Sequence, residues 1–317
     1  MDICIAASAA PGASIAVYFM KDHNGWIDAV NKIANPGDDD PHCSVLSSSL
    51  FVSAGDDSAT LKNNGLDDSW IQSMSMAFQD AAIQGVTVCF ASGDHGSASK
   101  PNCSKARVQY PPSDPWVLTV GGTTVGNIDF DTGSFDEYVW NDGDATGGGI
   151  SEHFPLPWYQ TWAGVPLSAN GDQNTPGRGI PDVAANADHY SCYKFYIDKE
   201  EQYHGGTSAA APLWAGLITL INASLGVQVG FLNPILYSMC SDPVIYDFMG
   251  SKALRNISGP PGPTDNVYRG DDDKYESDVP GYTSVKDGWD ACTGLGSIDG
   301  QGLLACLAYY LLARHKS

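Results

Sequence analysis

The run Gly205-Gly206-Thr207-Ser208-Ala209-Ala210-Ala211-Pro212 leads straight into the apolar segment Leu213 to Ile221. The glycines allow a sharp turn and the alanines allow close helix packing. Pro212 is tolerated in a first helical turn, where its missing N–H has no partner to lose. Ser208 therefore sits at the mouth of a buried helix, where the positive end of the dipole favours developing negative charge. That is the setting of a serine nucleophile. The competing reading is a Ser/Thr N-cap on an ordinary core helix. A second candidate, Asp94 in Ser92-Gly93-Asp94-His95-Gly96, follows the apolar run Val86 to Ala91 and stands where a strand would end. By itself it reads equally as a turn-forming aspartate.

The elements that must carry these residues show a βαβα rhythm. Apolar runs at Ser14 to Phe19, Ser44 to Phe51, Val86 to Ser92 and Trp116 to Gly121 alternate with helical patterns at Trp26 to Ala34 and Ser69 to Gln84. Strands apolar on both faces predict a mostly parallel sheet covered by helices, with chemistry at the carboxyl ends of the strands. The later half is richer in Gly, Pro and polar residues. Ser168 to Gly179 and Ser258 to Tyr282 read as long surface loops within a single domain spanning residues 1–317.

Composition narrows the partners. The 317 residues carry 37 Asp and Glu against 16 Lys and Arg, a net charge of −21 that disfavours nucleic acid and anionic membrane surfaces and suits work at low pH. No segment reads as a membrane span and no charged-then-apolar leader is visible. The eight cysteines form no CxxC or Cys/His ligand spacing, so zinc is not expected. Cys89 reads as a buried free thiol, while Cys103, Cys240, Cys292 and Cys306 fall near loops or element ends, where disulfides are open to some of them. Asn102, Asn222 and Asn256 begin sequons, which matter only in a secreted chain. The acidic runs 38–40 and 271–273 read as solvated loops.

A serine nucleophile needs a base. The seven histidines lie in polar, loop-like surroundings, and no His-Gly-Thr-His segment of the subtilisin kind is present. A carboxylate must then move the proton, which suits acid pH.

Five ordered motifs together resemble the sedolisins, the serine-carboxyl peptidases. They are Ser92 to Gly96, Val139-Trp140-Asn141-Asp142-Gly143, Thr146-Gly147-Gly148-Gly149-Ile150-Ser151, Gly205 to Pro212, and Gly288-Trp289-Asp290-Ala291-Cys292-Thr293-Gly294-Leu295-Gly296. The resemblance runs from Asp2 to about the C-terminus. It implies an α/β, subtilisin-like three-layer fold, a calcium site, and endo- or tripeptidyl-peptidase activity on peptides or proteins at acid pH. It further implies a monomer in an extracellular or acidic, lysosome- or vacuole-like compartment. By motif, Ser208 matches the nucleophile and Asp94 the aspartate that points at the oxyanion, a role that fits a carboxyl kept protonated so that it can donate. Asp2 matches the aspartate that supports a glutamate base four residues earlier on the same helix face. That position precedes Met1, so the resemblance implies that this polypeptide alone cleaves little.

Ser49 and Gly147, Gly148 and Gly149 match positions where extended substrate pairs with the backbone. Where the family has Ser-Trp-Gly-Gly, this chain reads Ser49-Leu50-Phe51-Val52, with larger side chains. Gln109 is neutral at a position where some members carry an acid that selects basic side chains. The calcium ligands carried over are Asn256, Ile257, Lys286, Gly288 and Asp290. Of these, Asp290 gives a carboxylate, and Ile257, Lys286 and Gly288 give main-chain oxygens. The alternative to a peptidase is a non-catalytic relative that keeps the fold and binds peptide or a partner. A Ser-His-Asp hydrolase is a third reading, disfavoured by the absent His segment.

Overall fold

The computed structural model describes residues 1–171, 174–241, 253–255, 257, 262–269, 279–285 and 288–314. The chain opens with helices α1 (Asp2–Ala9) and α2 (Asn24–Ala34), strand β1 (Val45–Ser48), helices α3 (Ser58–Asn63) and α4 (Asp68–Ile83), and strand β2 (Thr87–Ala91). Next come β3 (Leu118–Asp129), β4 (Ser134–Val139), β5 (Asn141–Asp142), β6 (Asp144–Ala145), β7 (Gly149–Pro155), β8 (Gly177–Ile180) and β9 (Val183–Asn186). The hairpin β10 (Tyr193–Ile197) and β11 (Glu200–His204) leads into α5 (Thr207–Leu225) and α6 (Asn233–Ser241). Strands β12 (Leu254–Arg255) and β13 (Ser297–Ile298) and helix α7 (Gly300–Arg314) complete the described elements.

The central sheet has the order β1-β2-β3-β9-β13-β12, with β4 also paired to β3. Neighbours from β1 to β13 run parallel, while β4 and β12 are antiparallel. Strand β2 shows why: all five residues are buried, Cys89 and Ala91 in one apolar cluster and Val88 and Phe90 in the other. Alternate side chains thus feed cores on opposite faces, as a doubly covered sheet requires. One core packs α5, α6 and α7 on the sheet; the other packs α2 and α4. Helix α4 begins where Asp67 accepts the Trp70 N–H at 2.8 Å, and it turns Ile71, Met74, Phe78 and Ala81 inward at helical spacing.

The predicted fold class is what the structure shows, but several local expectations change. The run Ser14 to Phe19 forms no strand and leaves Ile15, Val17 and Phe19 exposed. The end of the predicted surface loop at Ser168 to Gly179 instead begins β8, which is buried throughout. Helix α5 has the length and hydropathy of a membrane span, contrary to the reading of the sequence, yet Ala210, Trp214 and Ile218 are fully buried against the sheet. All eight cysteines are free. Asn222 is buried, with its side-chain oxygen accepting the Val229 N–H, so that sequon is closed to a glycan.

Helix α1 packs closely on α5 at Gly216. A Cβ added there would lie 2.5 Å from the Cβ of Ala9 and 3.2 Å from the carbonyl oxygen of Ala6. Gly216→Val should therefore cost about 1–3 kcal/mol by overpacking and push α1 outward, read as a lower urea midpoint.

Fully buried carboxylates set a pH dependence of stability. Burial pushes Asp56 up to about 7, against hydrogen bonds from Ser151 and the Glu152 N–H, and pushes Asp114 up to about 6. The native state then holds more protons than the unfolded chain between roughly pH 4 and 7, so stability rises as pH falls through that window. The half-buried His153, whose pKa is lowered by burial, opposes this in part. Below about pH 4 the trend reverses as carboxylates held low, such as Asp57 beside Thr60 and Arg107, take up protons. Thermal unfolding should show a Tm several degrees higher at pH 5 than at pH 7.5; equal values would contradict this.

Candidate active site

Two parallel strands and one helix deliver the candidate residues. Ser49 follows the carboxyl end of β1, Asp94 follows the carboxyl end of β2, and Ser208 lies in the first turn of α5. This is where an open parallel sheet gathers chemistry. Gly206 makes the turn into α5 with φ +91°, a conformation that only glycine adopts at ease.

Asp94 is held from one side. Its Oδ1 accepts the Thr207 N–H at 2.8 Å and the Thr207 hydroxyl at 2.7 Å. Thr207 Oγ1 in turn accepts the Gly93 N–H at 3.0 Å, so the threonine clamps the turn and its carboxylate together. The other oxygen, Oδ2, lies over Gly206, where an added Cβ would come within 3.0 Å of it. With Oδ1 already an acceptor twice over, a proton on Asp94 belongs on Oδ2, at the helix mouth. Thr207 and this selection of one oxygen escaped the reading of the sequence, although Thr207 stood inside its leading motif.

Asp2 begins α1, and Ser49 reaches it: the Ser49 hydroxyl oxygen lies 2.5 Å from Asp2 Oδ2 and 3.1 Å from the Ser208 carbonyl oxygen, and its single proton serves one of them at a time. The expected candidates Asp2, Ser49, Asp94 and Ser208 therefore converge. Among the described residues the Ser208 hydroxyl makes no hydrogen bond, and no histidine ion-pairs or bonds with it. Beside Asp94 lies Asp144, raised in pKa by burial and then by the charge of Asp94, with His189 Nε2 at 3.3 Å opposing the rise.

The expected substrate-pairing glycines are partnered within the fold. Gly147 N–H donates to the Gly93 carbonyl at 2.7 Å, Gly148 O accepts from Asn266, and Gly149 pairs with Ile180. All three are buried, and Gly147 braces the turn that carries Asp94. Ser49 turns its hydroxyl to Asp2, while Leu50 and Phe51 are exposed. Gln109 is buried and donates to the Ser99 carbonyl.

Of the five expected metal ligands, Asn256 and Lys286 lie outside the described residues. Ile257 is buried, and Gly288 has φ +98°. Asp290 Oδ1 accepts the N–H groups of Cys292 and Thr293 at 2.8 Å each, and Oδ2 accepts that of Val285 at 3.1 Å. Burial pushes its pKa up to about 6 against these bonds. A buried carboxylate with no Lys or Arg partner among the described residues fits a cation in kind. The described residues hold no cluster of three or more acidic, His or Cys side chains, short of the six or more oxygens calcium takes.

Comparison with known proteins identifies the family. The subtilase family (Peptidase S8) matches residues 3–226. Kumamolisin of Bacillus sp. (strain MN-32) is 39% identical over 320 residues, which cover 97% of this chain and 50% of that protein. Tripeptidyl-peptidase sed5 of Aspergillus fumigatus is 30% identical over 325 residues, covering 96% and 50%. The chain thus spans about half the length of the curated relatives it matches. The solved Pseudomonas sedolisin, a serine-carboxyl proteinase complexed with two molecules of pseudo-iodotyrostatin, superposes with a TM-score of 0.73 at 25% identity. That match covers 98% of this chain and 78% of the other. On the subtilase match and the sedolisin relatives, the chain belongs to the subtilase family, on its sedolisin branch.

Proposed function

We propose that this chain forms the catalytic domain of a serine-carboxyl peptidase that hydrolyses peptide bonds at acid pH. The observation that carries the reading is Asp94, clamped through Oδ1 by Thr207 so that Oδ2 is left at the mouth of the helix bearing Ser208. Ser208 Oγ forms a bond to the scissile carbonyl carbon as the C=O electron pair moves onto oxygen. Protonated Asp94 Oδ2 donates to that oxyanion, aided by the N-terminal dipole of α5. The serine proton passes to a carboxylate and from there to the leaving amine as the C–N bond breaks, leaving an acyl ester on Ser208. Water then adds to that carbonyl, giving up a proton to the carboxylate, and the ester C–O bond breaks as the proton returns to Ser208 Oγ, releasing the acid. A glutamate four residues before Asp2 would share its face of α1, with Asp2 as support. Acid pH suits both needs, since Asp94 works as the acid and the many carboxylates lose charge.

The test follows from that division of roles. The chain extended upstream to place a Glu four residues before Asp2 should cleave denatured protein near pH 4, with all cleavage lost in Ser208→Ala. Cleavage that survives Ser208→Ala, or that peaks above neutrality and depends on one histidine, would contradict the reading. The alternative, a peptide-binding relative without catalysis, is favoured by the exposed Leu50 and Phe51 beside Ser49. It would be upheld by peptide binding with no covalent capture at Ser208.

We propose further that the loop at Asp290 binds one calcium ion, through its carboxylate and nearby main-chain oxygens. A chelator should then lower Tm by several degrees in the parent chain and leave Asp290→Asn unmoved. Equal response of both would remove the metal from this loop. In location, the reading places the protein in an extracellular or acidic, lysosome-like compartment, acting as a monomer on peptide or protein substrates.

A further inference from the structure

The first turn of α5 contains a built-in defect. In a regular helix the Ser208 carbonyl would accept the N–H of residue 212, but residue 212 is proline and has none. The nucleophile's own carbonyl is thus left without its helical donor, in a part-buried place where an unpaired acceptor is costly. The group that fills the gap is the Ser49 hydroxyl, 3.1 Å from that oxygen, and the same hydroxyl lies 2.5 Å from Asp2 Oδ2.

We infer that Ser49 is a positioning residue: its hydroxyl stands in for the N–H that Pro212 lacks and ties the carboxylate of Asp2 to the backbone of Ser208. The role differs from substrate pairing, and it rests on the peptidase reading only for its catalytic consequence. A hydroxyl carries one proton but can also accept. One hydroxyl within reach of both the Asp2 carboxylate and the Ser208 carbonyl therefore links these two oxygens in a single line. Three chain segments far apart in sequence meet in this line: the start of α1, the end of β1 and the start of α5. The close approach of α1 to α5 at Gly216 brings the two helices to the distance the line requires. Without the hydroxyl, the Asp2 carboxylate keeps no other hydrogen bond among the described residues.

The test compares Ser49→Ala and Ser49→Thr with the parent chain, using hydrogen exchange of α1 and α5 amides and binding of a peptidyl aldehyde that adds to Ser208. Ser49→Ala should exchange about tenfold faster over residues 2–9 and bind the aldehyde about tenfold more weakly, the loss of one part-buried hydrogen bond. Ser49→Thr keeps the hydroxyl and should restore both. Unchanged exchange in Ser49→Ala would overturn the tie. Faster exchange with unchanged aldehyde binding would overturn the positioning role and leave a structural bond only. If the parent chain itself binds no aldehyde, the peptidase reading fails, and the exchange of Ser49→Ala against Ser49→Thr still decides the tie. A Ser49→Ala chain that does not fold, beside a folded Ser49→Thr, would count against positioning and for a purely structural bond.

Discussion

Asp94→Ala should weaken capture of a peptidyl aldehyde at Ser208 by about 10²–10³-fold, the usual cost of removing one oxyanion donor. The expectation rests on two features of the site. Asp94 Oδ1 is spent on the N–H and hydroxyl of Thr207, so any proton the group carries faces the helix mouth from Oδ2. Among the described residues no histidine hydrogen-bonds to Ser208. Thr207→Val removes one of the two bonds that hold Asp94 and should reproduce a fraction of the loss, with Thr207→Ser close to the parent. Isothermal titration with the aldehyde at pH 4 measures all four chains. An Asp94→Ala chain that binds as tightly as the parent would show that the oxyanion is held by something else.

Arg178→Met should be the most destabilising single change in the core. The Arg178 guanidinium and the Asp182 carboxylate are both fully buried, 2.6 Å apart. Burial works against the charge on Arg178, and Asp182 more than offsets it, so the group is held charged. Asp182 also accepts from the Thr119 N–H at 2.8 Å, Tyr237 at 3.0 Å and Asn233 at 3.2 Å, joining β3 to α6 beneath the sheet. Removing only the cation leaves a carboxylate buried without its counter-charge, which costs about 3–5 kcal/mol. The double variant Arg178→Met with Asp182→Asn should recover part of that loss, because the stranded charge is gone as well. Urea unfolding of the single and double variants gives the comparison. A loss below about 1 kcal/mol in the single variant would mean that the pair is weak or already relieved by water.

Much of this site was legible in the sequence because its signals are local. The glycine-to-proline run around Ser208 and the turn after a buried strand at Asp94 each carry their chemistry within a few residues. The parallel sheet was legible for a similar reason, since strands such as β2 bury both faces and read as unbroken apolar runs. The missed features depend on distant partners. Ser14 to Phe19 has the composition of a strand, but pairing is decided by a neighbour, and the described structure gives it none. Ser49 looked like part of a substrate edge because the residue it serves, Asp2, lies 47 positions away and the carbonyl it caps 159 away. Pro212 is a correction: the sequence placed it in a first helical turn with no N–H partner to lose, whereas it is the sixth residue of α5 and its missing N–H strands the Ser208 carbonyl. The buried Arg178 network draws on β3, β8, the turn between β8 and β9, and α6, and no spacing along the chain announces it.

The central claim is that Ser208 is a nucleophile served by an oxyanion site built on Asp94. The most direct test is 13C NMR of the chain at pH 4 with a peptidyl aldehyde labelled at its carbonyl carbon. Addition of Ser208 Oγ converts the aldehyde carbon to a tetrahedral hemiacetal, with the serine proton ending on the new hydroxyl or its hydrogen-bond partner. The account predicts a hemiacetal signal that saturates at one equivalent, vanishes in Ser208→Ala and fades sharply in Asp94→Ala. A free aldehyde signal unchanged by the parent chain, or a hemiacetal that persists in Ser208→Ala, would contradict it.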